Sequence, residues 1–212
     1  MDNPTPYTEI LLSHNEFSYI YNGKIVPPPE DAIQHLVALV NKLSSSIAMD
    51  ENEARIESEG KSYRASRLPH GGDNDCWILR LLPSAIPTPK DLGFSAKLSS
   101  WLSAQPHGLV LFSGPSAAGK TTSCSAFMAE RVRKNKGFAV TVEDPPELRL
   151  DGSHGEGRCV QLDAGRLGGW DAACARVLRY GALSSLMLGE IRTPETASAA
   201  LASSLNGTLV CV

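Results

Sequence analysis

One nine-residue segment constrains this 212-residue chain more than any other, because it specifies both a conformation and a chemistry. Residues 114–122 read GPSAAGKTT and fit the pattern G-x-x-x-x-G-K-[ST]. The apolar run Gly108–Phe112 precedes the segment, and a helix is predicted after it, from about Lys120 to Lys134. In such a strand–loop–helix unit the backbone N–H groups form a nest for anions, and the helix N-terminus adds positive partial charge. The segment therefore predicts a phosphate-binding loop.

Two side chains of this loop are expected to carry its chemistry. Lys120 should reach the β- and γ-phosphates of a nucleotide, and the Thr121 hydroxyl should coordinate Mg²⁺. Glycine permits torsions and close approaches that a β-carbon would block. ATP and Mg²⁺ are the predicted cofactors, and the predicted nucleotide-binding residues of the loop are Gly114, Pro115, Ser116, Ala117, Ala118, Gly119, Lys120, Thr121 and Thr122.

Hydrolysis of a bound nucleotide also requires a carboxylate near the metal and the water, and two apolar runs end in acids. Phe138–Val142 leads into Glu143 and Asp144, and Leu186–Gly189 leads into Glu190. Ligands of open α/β sheets lie beyond the carboxyl ends of the strands, so these acids are expected on the same edge as the phosphates. The alternative is that they are surface acids at strand ends with no part in catalysis.

The chain before residue 83 carries strand and turn signals that predict a small α+β domain with the order ββαβββ. Asn22-Gly23 is a strong turn signal between two β-prone runs. The predicted elements are a strand in Tyr7–Ser13, a hairpin from Phe17 to Val26, a helix beginning near Pro29, a hairpin from Arg55 to Arg67 that turns near Gly60, and a strand in Cys76–Leu82.

A proline-rich segment, Leu82–Pro89, predicts a stiff linker after this domain. The predicted organisation is a first domain over residues 1–82, a linker over 83–96 and a nucleotide-binding core over 97–212. Three arginines of the first domain stand out, namely Arg64, Arg67 and Arg80. On their own they are most simply explained as solvated strand residues.

Composition excludes several classes of protein. The net charge of -3 provides no broad field for nucleic acid, so no direct nucleic-acid binding is expected. No apolar run approaches the roughly 18 residues that span a bilayer, and the polar N-terminus does not resemble a signal peptide. The five cysteines form no CxxC pair and are expected to be free thiols in the cytoplasm. The five histidines show no metal-ligand spacing.

Four segments in order resemble the type II/type IV secretion ATPases, which include the motors of type IV pili and of conjugative thin pili. Arg64, Arg67 and Arg80, with the linker, also resemble the end of that family's PAS-like N-terminal domain. The four segments are Gly114–Thr122, similar to the Walker A loop; Val140–Glu147, similar to the Asp box; Gly189–Ala197, similar to the Walker B segment; and Gly207–Val210, similar to the strand before the His box.

The resemblance implies a small α+β PAS-like domain joined by a Pro-rich linker to an incomplete RecA-like P-loop core. It implies a cytoplasmic homo-hexameric motor that works with an inner-membrane platform protein and is peripheral to that membrane. Glu190 would be the catalytic Walker B glutamate and a metal ligand with Thr121, and Glu143 would be the catalytic Asp-box acid near Mg²⁺. The three arginines would contact the nucleotide phosphates.

Several departures from the family pattern leave alternatives open. Gly181-Ala182 stands where an acidic-proline pair is common, Thr193 where aspartate is usual, and Thr208 where histidine is common. The His box and C-terminal helices would begin just after Val212. A module that binds nucleotide without hydrolysing it is one alternative. A small-molecule kinase is another, although such kinases usually begin at the P-loop, unlike this chain.

Overall fold

The computed structural model describes residues 9–13, 16–21, 23–46, 52–68, 76–115, 118–180 and 183–212. The chain divides into two compact units, Met1–Ser84 and Ala85–Val212. Each unit contains one six-stranded sheet. The prediction of an α+β domain followed by a partial RecA-like α/β core is confirmed.

The first unit is an antiparallel sheet covered by one helix. Its strand order is β3-β2-β1-β6-β5-β4, and a single turn of 3-10 helix, Glu30–Ala32, leads into the helix. The elements are β1 Glu9–Ser13, β2 Glu16–Tyr21, β3 Lys24–Val26, α1 Ile33–Ser46, β4 Glu53–Ser58, β5 Lys61–Leu68 and β6 Cys76–Leu82.

Alternation along the strands builds the core of the first unit, because every second residue points to the same face of a sheet. Tyr63, Ala65 and Leu79 are fully buried on that face, together with Leu36 and Leu39 of α1. The two predicted hairpins and the strand Cys76–Leu82 are present. The predicted order ββαβββ was wrong because three strands precede the helix. The additional strand, β3, is the second strand of the predicted hairpin Phe17–Val26, so the order ββαβββ counted one strand too few and missed no element of this unit.

The second unit is a mostly parallel sheet flanked by helices. Its strand order is β7-β12-β11-β8-β10-β9, and only the β9–β10 pair is antiparallel. Its elements are α2 Ala96–Ala104, β7 Gly108–Val110, α3 Lys120–Asn135, β8 Phe138–Glu143, β9 Gly152–His154, β10 Gly157–Asp163, a 3-10 turn Gly165–Leu167, α4 Trp170–Val177, β11 Ser185–Leu188, α5 Pro194–Leu205 and β12 Leu209–Cys211.

The strand order determines where the predicted site can form. β12 pairs with β7 on one side and with β11 on the other, so one strand separates the P-loop strand from the strand that precedes Glu190. All three strands run in the same direction, and their carboxyl ends therefore lie on one edge. Among the described residues, no helix is both long and apolar enough to cross a membrane.

Close backbone contacts hold α3 against this sheet. A β-carbon on Gly157 would lie 2.2 Å from the carbonyl oxygen of Val132 in α3, a separation that no side chain tolerates. A β-carbon on Gly137 would lie 2.4 Å from the Ser184 hydroxyl. The helix ends at Asn135, and Lys136, with φ of 51°, is the left-handed residue that closes it. Gly137 follows this residue, and its lack of a side chain allows the close approach to Ser184.

We expect Gly157→Ala to lower the free energy of unfolding by about 1–3 kcal/mol, as overpacking of a dense interior does. The added methyl would push α3 away from β10. Urea unfolding followed by circular dichroism measures the change. Ser153→Ala, an exposed position on the neighbouring strand β9, is the control and should change stability by no more than about 0.5 kcal/mol. Equal stability of the two variants would contradict the close packing.

Candidate nucleotide site

The glycine-rich loop carries its lysine to the start of a helix. Gly119 caps α3 with a φ of 83°, in the left-handed region that glycine adopts without strain. Lys120 is the first helical residue, and its ammonium donates to the carbonyl oxygens of Gly114, at 2.9 Å, and Pro115, at 2.8 Å. The ammonium is therefore held against the loop at a positive helix N-terminus. Ser116 and Ala117, also predicted to bind nucleotide, lie outside the described residues.

A cavity of about 190 Å³ brings together the residues that the sequence placed on two separate segments. Lys120 and Thr121 line it from α3, and Glu190 lines it from the segment that follows β11. The Glu190 side chain is about half exposed. The remaining lining residues are Phe112, Cys124, Met187, Leu188, Gly189, Ile191 and Val212. A cation, a hydroxyl and a carboxylate therefore face one space at the carboxyl edge of the sheet.

Glu143 has a different environment from Glu190. It ends β8 and is only 3% exposed. Its carboxylate accepts hydrogen bonds from the Thr141 hydroxyl and the Gln161 amide, both at 2.8 Å. Burial raises the pKa of Glu143, although these hydrogen bonds oppose the shift. A β-carbon on Gly189 would lie 3.5 Å from Cγ of Glu143, so this acid sits behind Gly189 and outside the cavity lining.

Arg192 joins the two acidic segments at this edge of the sheet. It forms an ion pair with Glu190 and approaches Asp144 at 3.6 Å. Its guanidinium also lies over the Trp170 ring, 5.9 Å from the centroid. Asp144, the residue that follows β8, is thus the acid of this segment that shares a partner with Glu190. Sequence reasoning gave Arg192 no separate role, although it falls within the Walker B-like segment.

Two sulfur-containing side chains, Cys124 and Met187, are among the residues that line the cavity. Cys124 lies one helical turn after Lys120, and that spacing could have placed it at the site. Its pKa is raised well above the ordinary value by hydrogen bonding with Cys211 and by burial. Burial also raises the pKa of Cys159 to about 12. These groups therefore remain neutral thiols near pH 7, and the prediction that all five cysteines are free is confirmed.

The three arginines of the first unit do not form one cluster. Arg64 and Arg80 are opposite each other in the β5–β6 register, and both line a cavity of about 240 Å³. Arg64 donates to Glu53 at 3.0 Å, and Arg80 donates to Glu9 at 2.7 Å. Arg67 lies three residues after Arg64 and therefore on the opposite face of the strand, where its guanidinium is 5.9 Å from the Trp77 ring centroid.

The described residues include no cluster of three or more His, Cys, Asp or Glu side chains able to hold a metal ion. Mg²⁺ is commonly bound by one or two carboxylates together with substrate phosphates rather than by an all-protein cage. The Thr121 hydroxyl and the Glu190 carboxylate are oxygen donors of the type that Mg²⁺ prefers. The cavity therefore fits a magnesium ion that arrives with a nucleotide.

The sequence of the chain is similar to those of known proteins. Residues 32–212 match the family described as type II/IV secretion system protein. HxcR, a type II secretion system protein of Pseudomonas aeruginosa, is 30% identical over 96% of this chain and 45% of its own length. Type II secretion system protein E of Xanthomonas campestris is 36% identical over 96% of this chain and 37% of its own length. The chain thus spans less than half the length of these relatives.

Solved structures agree with the fold. The crystal structure of the pilus retraction motor PilT with bound ADP superposes with a TM-score of 0.75 at 24% identity, over 97% of this chain and 62% of that one. The ATPase DotB of Legionella pneumophila gives a TM-score of 0.69 at 19% identity, over 97% of this chain and 61% of that one. At these identities the likeness concerns the fold.

We expect the stability of Glu143→Gln relative to the wild type to rise with pH. Burial raises the pKa of Glu143 in the folded chain, so folding takes up a proton between the ordinary pKa of about 4.3 and the folded value. The wild type is therefore favoured most at low pH and loses that contribution as pH rises through the folded pKa. The variant does not titrate at this position.

Urea unfolding between about pH 4 and 8 measures this difference in the free energy of unfolding. Glu156→Gln, whose carboxylate is 73% exposed, is the control and should show little dependence of that difference on pH. A difference that stays flat would mean that hydrogen bonding cancels the effect of burial on the pKa of Glu143, and one that falls as pH rises would mean that hydrogen bonding outweighs it.

Proposed function

Because the chain belongs to the type II/IV secretion system protein family, we propose that it binds ATP with Mg²⁺ and hydrolyses it as a motor subunit of a type II secretion machine or a type IV pilus. One observation carries the proposal. The cavity joins Lys120 and Thr121 of α3 with Glu190 after β11. These are a phosphate-binding cation, a metal-binding hydroxyl and a carboxylate that can act on water.

Each of these groups has a distinct task. Lys120 and the loop backbone would bind the β- and γ-phosphates, and Thr121 and Glu190 would hold Mg²⁺. When bound, the ion would supply positive charge that offsets the charge developing on the phosphate oxygens. Glu190 also orients the attacking water and accepts its proton, which its half-exposed position beside the cavity allows.

Glu143 is proposed as the second acid of the reaction. Its carboxylate lies behind Gly189 and is held by Thr141 and Gln161. To act near the metal it has to turn away from these partners. Its present contacts fix the end of β8 directly beside the segment that carries Glu190, which is a supporting task that needs no movement.

Arg64 and Arg80 are proposed to bind phosphate oxygens. The two guanidinium groups share one polar cavity on the open face of their sheet. Each is at present paired with one glutamate, Glu53 or Glu9. Planar guanidinium groups suit phosphate because they donate two parallel hydrogen bonds. Arg67, on the opposite face, serves as the comparison for this proposal.

The assembly is also a proposal and rests on the family. Relatives are named as type II secretion system proteins and as the type IV pilus ATPase PilU of Pseudomonas aeruginosa. We propose that the chain acts in a homo-hexameric ring at the cytoplasmic face of the inner membrane, held there by a platform protein. Conversion of hydrolysis into movement would then take place within that ring.

We expect Glu190→Gln to bind ATP with nearly unchanged affinity and to lose turnover by about 100-fold or more, within the range of general-base catalysis. The amide keeps the size of the side chain but cannot accept the proton from water. Isothermal titration with a non-hydrolysable ATP analogue measures binding, and phosphate release measures turnover. Glu195→Gln, exposed in the first turn of α5, is the matched control.

Three outcomes separate the alternatives. Turnover of Glu190→Gln at the wild-type rate would refute the role given to Glu190. A wild-type chain that binds nucleotide without releasing phosphate would be a binding module and not a hydrolase. Absence of nucleotide binding by the wild type would refute the whole proposal.

We expect Arg64→Gln and Arg80→Gln each to weaken nucleotide binding by about tenfold or more, because a hydrogen bond to a charged group contributes about 1.5–3 kcal/mol. Arg67→Gln should leave the affinity unchanged, since its guanidinium is on the other face of the strand. Titration with the same ATP analogue measures all three. Equal effects from the three variants would contradict the division between the two faces.

A further inference from the structure

Helix α3 and strand β11 run in opposite directions and meet at three levels. At one end, Lys120 and Thr121 share the cavity with Glu190. In the middle, the Ser125 hydroxyl lies 4.0 Å from the sulfur of Met187. At the other end, the Arg131 guanidinium lies against Ser185, the first residue of β11. We refer to this line of contacts as the α3–β11 seam.

Arg131 makes the polar contacts at the end of the seam away from the cavity. The side chain is almost fully buried, with 3% exposure. Nε donates to the Ser185 hydroxyl at 2.8 Å, and one terminal nitrogen donates to the carbonyl oxygen of Ser103 at 2.6 Å. Asn135 donates to the same carbonyl at 2.8 Å. Arg131 thereby joins α3 to the start of β11 and to the end of α2.

The guanidinium also satisfies groups that would otherwise be costly to bury. Ser103 lies in the last turn of α2, where carbonyl oxygens have no partner within the helix. The second terminal nitrogen of Arg131 lies 3.5 Å from the carbonyl oxygen of Ser184. Burial lowers the pKa of Arg131 from its ordinary value, but a guanidinium remains charged at any physiological pH. Donor geometry therefore fixes the position of this side chain.

The two sides of the seam have matching lengths. From Lys120 to Arg131 the helix advances 11 residues, or about 16 Å at about 1.5 Å per residue. From Ser185 to Glu190 the chain advances five residues, of which Ser185–Leu188 form the strand, and it spans up to about 16 Å at about 3.3 Å per extended residue. A contact fixed at the Arg131 end therefore determines which residues face each other at the cavity end.

We propose that Arg131 is a positioning residue for nucleotide hydrolysis, which sets the register of α3 against β11 and so the placement of Lys120 and Thr121 relative to Glu190. The inference rests on the proposed hydrolysis at this cavity. Arg131 touches none of the reacting groups and acts through the two elements that carry them.

The groups proposed to bind phosphate and the carboxylate proposed to act on water lie on opposite sides of the seam. The loop, Lys120 and Thr121 all belong to the α3 side, and they move together if the helix shifts. Glu190 belongs to the β11 side. A change of register therefore leaves the phosphate-binding groups intact and misplaces the carboxylate that acts on water. This predicts a fall in kcat with little change in nucleotide affinity, a separation that general loss of stability does not produce.

The test compares Arg131→Met and Arg131→Lys with two controls in the full chain. Val177→Ala, at the end of α4, removes core packing from the cluster that includes Leu186 and Leu188, on the face of β11 opposite α3, and leaves every contact of the seam in place. Arg133→Met, on the same helix but 57% exposed, removes an arginine at the surface. Nucleotide affinity is measured by titration with an ATP analogue. The kcat for phosphate release is measured at a temperature where circular dichroism shows every variant to be folded.

For Arg131→Met we expect kcat to fall about 10- to 100-fold, as misplacement by about 1 Å can do, with affinity within about twofold of the wild type. Arg131→Lys should retain more of the wild-type kcat than Arg131→Met, because a lysine ammonium can still donate hydrogen bonds. It should not retain all of it, because lysine lacks the planar guanidinium that donates to several partners at once. Both controls should keep kcat. An unchanged kcat in Arg131→Met, or an equal loss in Val177→Ala, would overturn the inference.

A failure of the proposed function gives a different result. If the wild type binds nucleotide but releases no phosphate, hydrolysis is refuted and the register is tested directly by crystal structures of wild type and Arg131→Met. A changed separation between Thr121 and Glu190 would support the positioning role in the nucleotide-bound site. An unchanged separation would overturn it.

Discussion

Parallel hydrogen bonding in the second sheet is the constraint on which the rest of the site depends. The pairings β7–β12, β12–β11 and β11–β8 all run in one direction, so their carboxyl ends share an edge. The P-loop, Glu190 and Glu143 each follow or end one of these strands. A helix that returns from this edge, α3, then has to lie antiparallel to the strands. The cavity forms where its N-terminus meets the end of β11.

The two glutamates at this edge of the sheet differ in burial, and this gives the same type of side chain two different environments. Glu190 follows a glycine outside β11 and keeps about half of its side chain exposed. Glu143 is the last residue inside β8, and burial raises its pKa while Thr141 and Gln161 hold its carboxylate. One acid is therefore available to a metal and water, and the other is held in the interior beside it.

Sequence patterns predicted the elements that carry strong local signals. The hairpins around Gly23 and Gly60 and the helix that starts at Lys120 are all present. The missed elements are α2, α4 and the β9–β10 pair. The signals of α2 and β9 are weak, because α2 buries only two serines among its described residues and β9 has three residues. Helix α4 does bury residues at helical spacing, namely Trp170, Ala173, Cys174 and Val177, but it is only eight residues long. Tertiary contacts rather than local preference stabilise such elements.

The residues of the candidate site also divide into those that local sequence patterns predict and those that only tertiary packing brings there. Lys120, Thr121 and Glu190 could be predicted because a loop motif and two strand ends specify where they lie along the chain. Cys124, Met187 and Arg192 could not be assigned to the site, since their places there depend on how α3 packs against β11 and on the approach of two strand ends. The separation of Arg67 from Arg64 and Arg80 follows from strand alternation, but only once the strand bounds are known.

The sequence by itself determined which functional groups the chain carries and where they lie along it: a glycine-rich loop with its lysine, acids at strand ends, and a segment rich in proline. These are local properties, because each depends on residue types within a few positions of one another. The tertiary structure alone decided the strand order, the burial of Glu143 and the position of Arg131 between α3, α2 and β11. Those properties depend on contacts between residues far apart in the chain, and only packing brings such residues together.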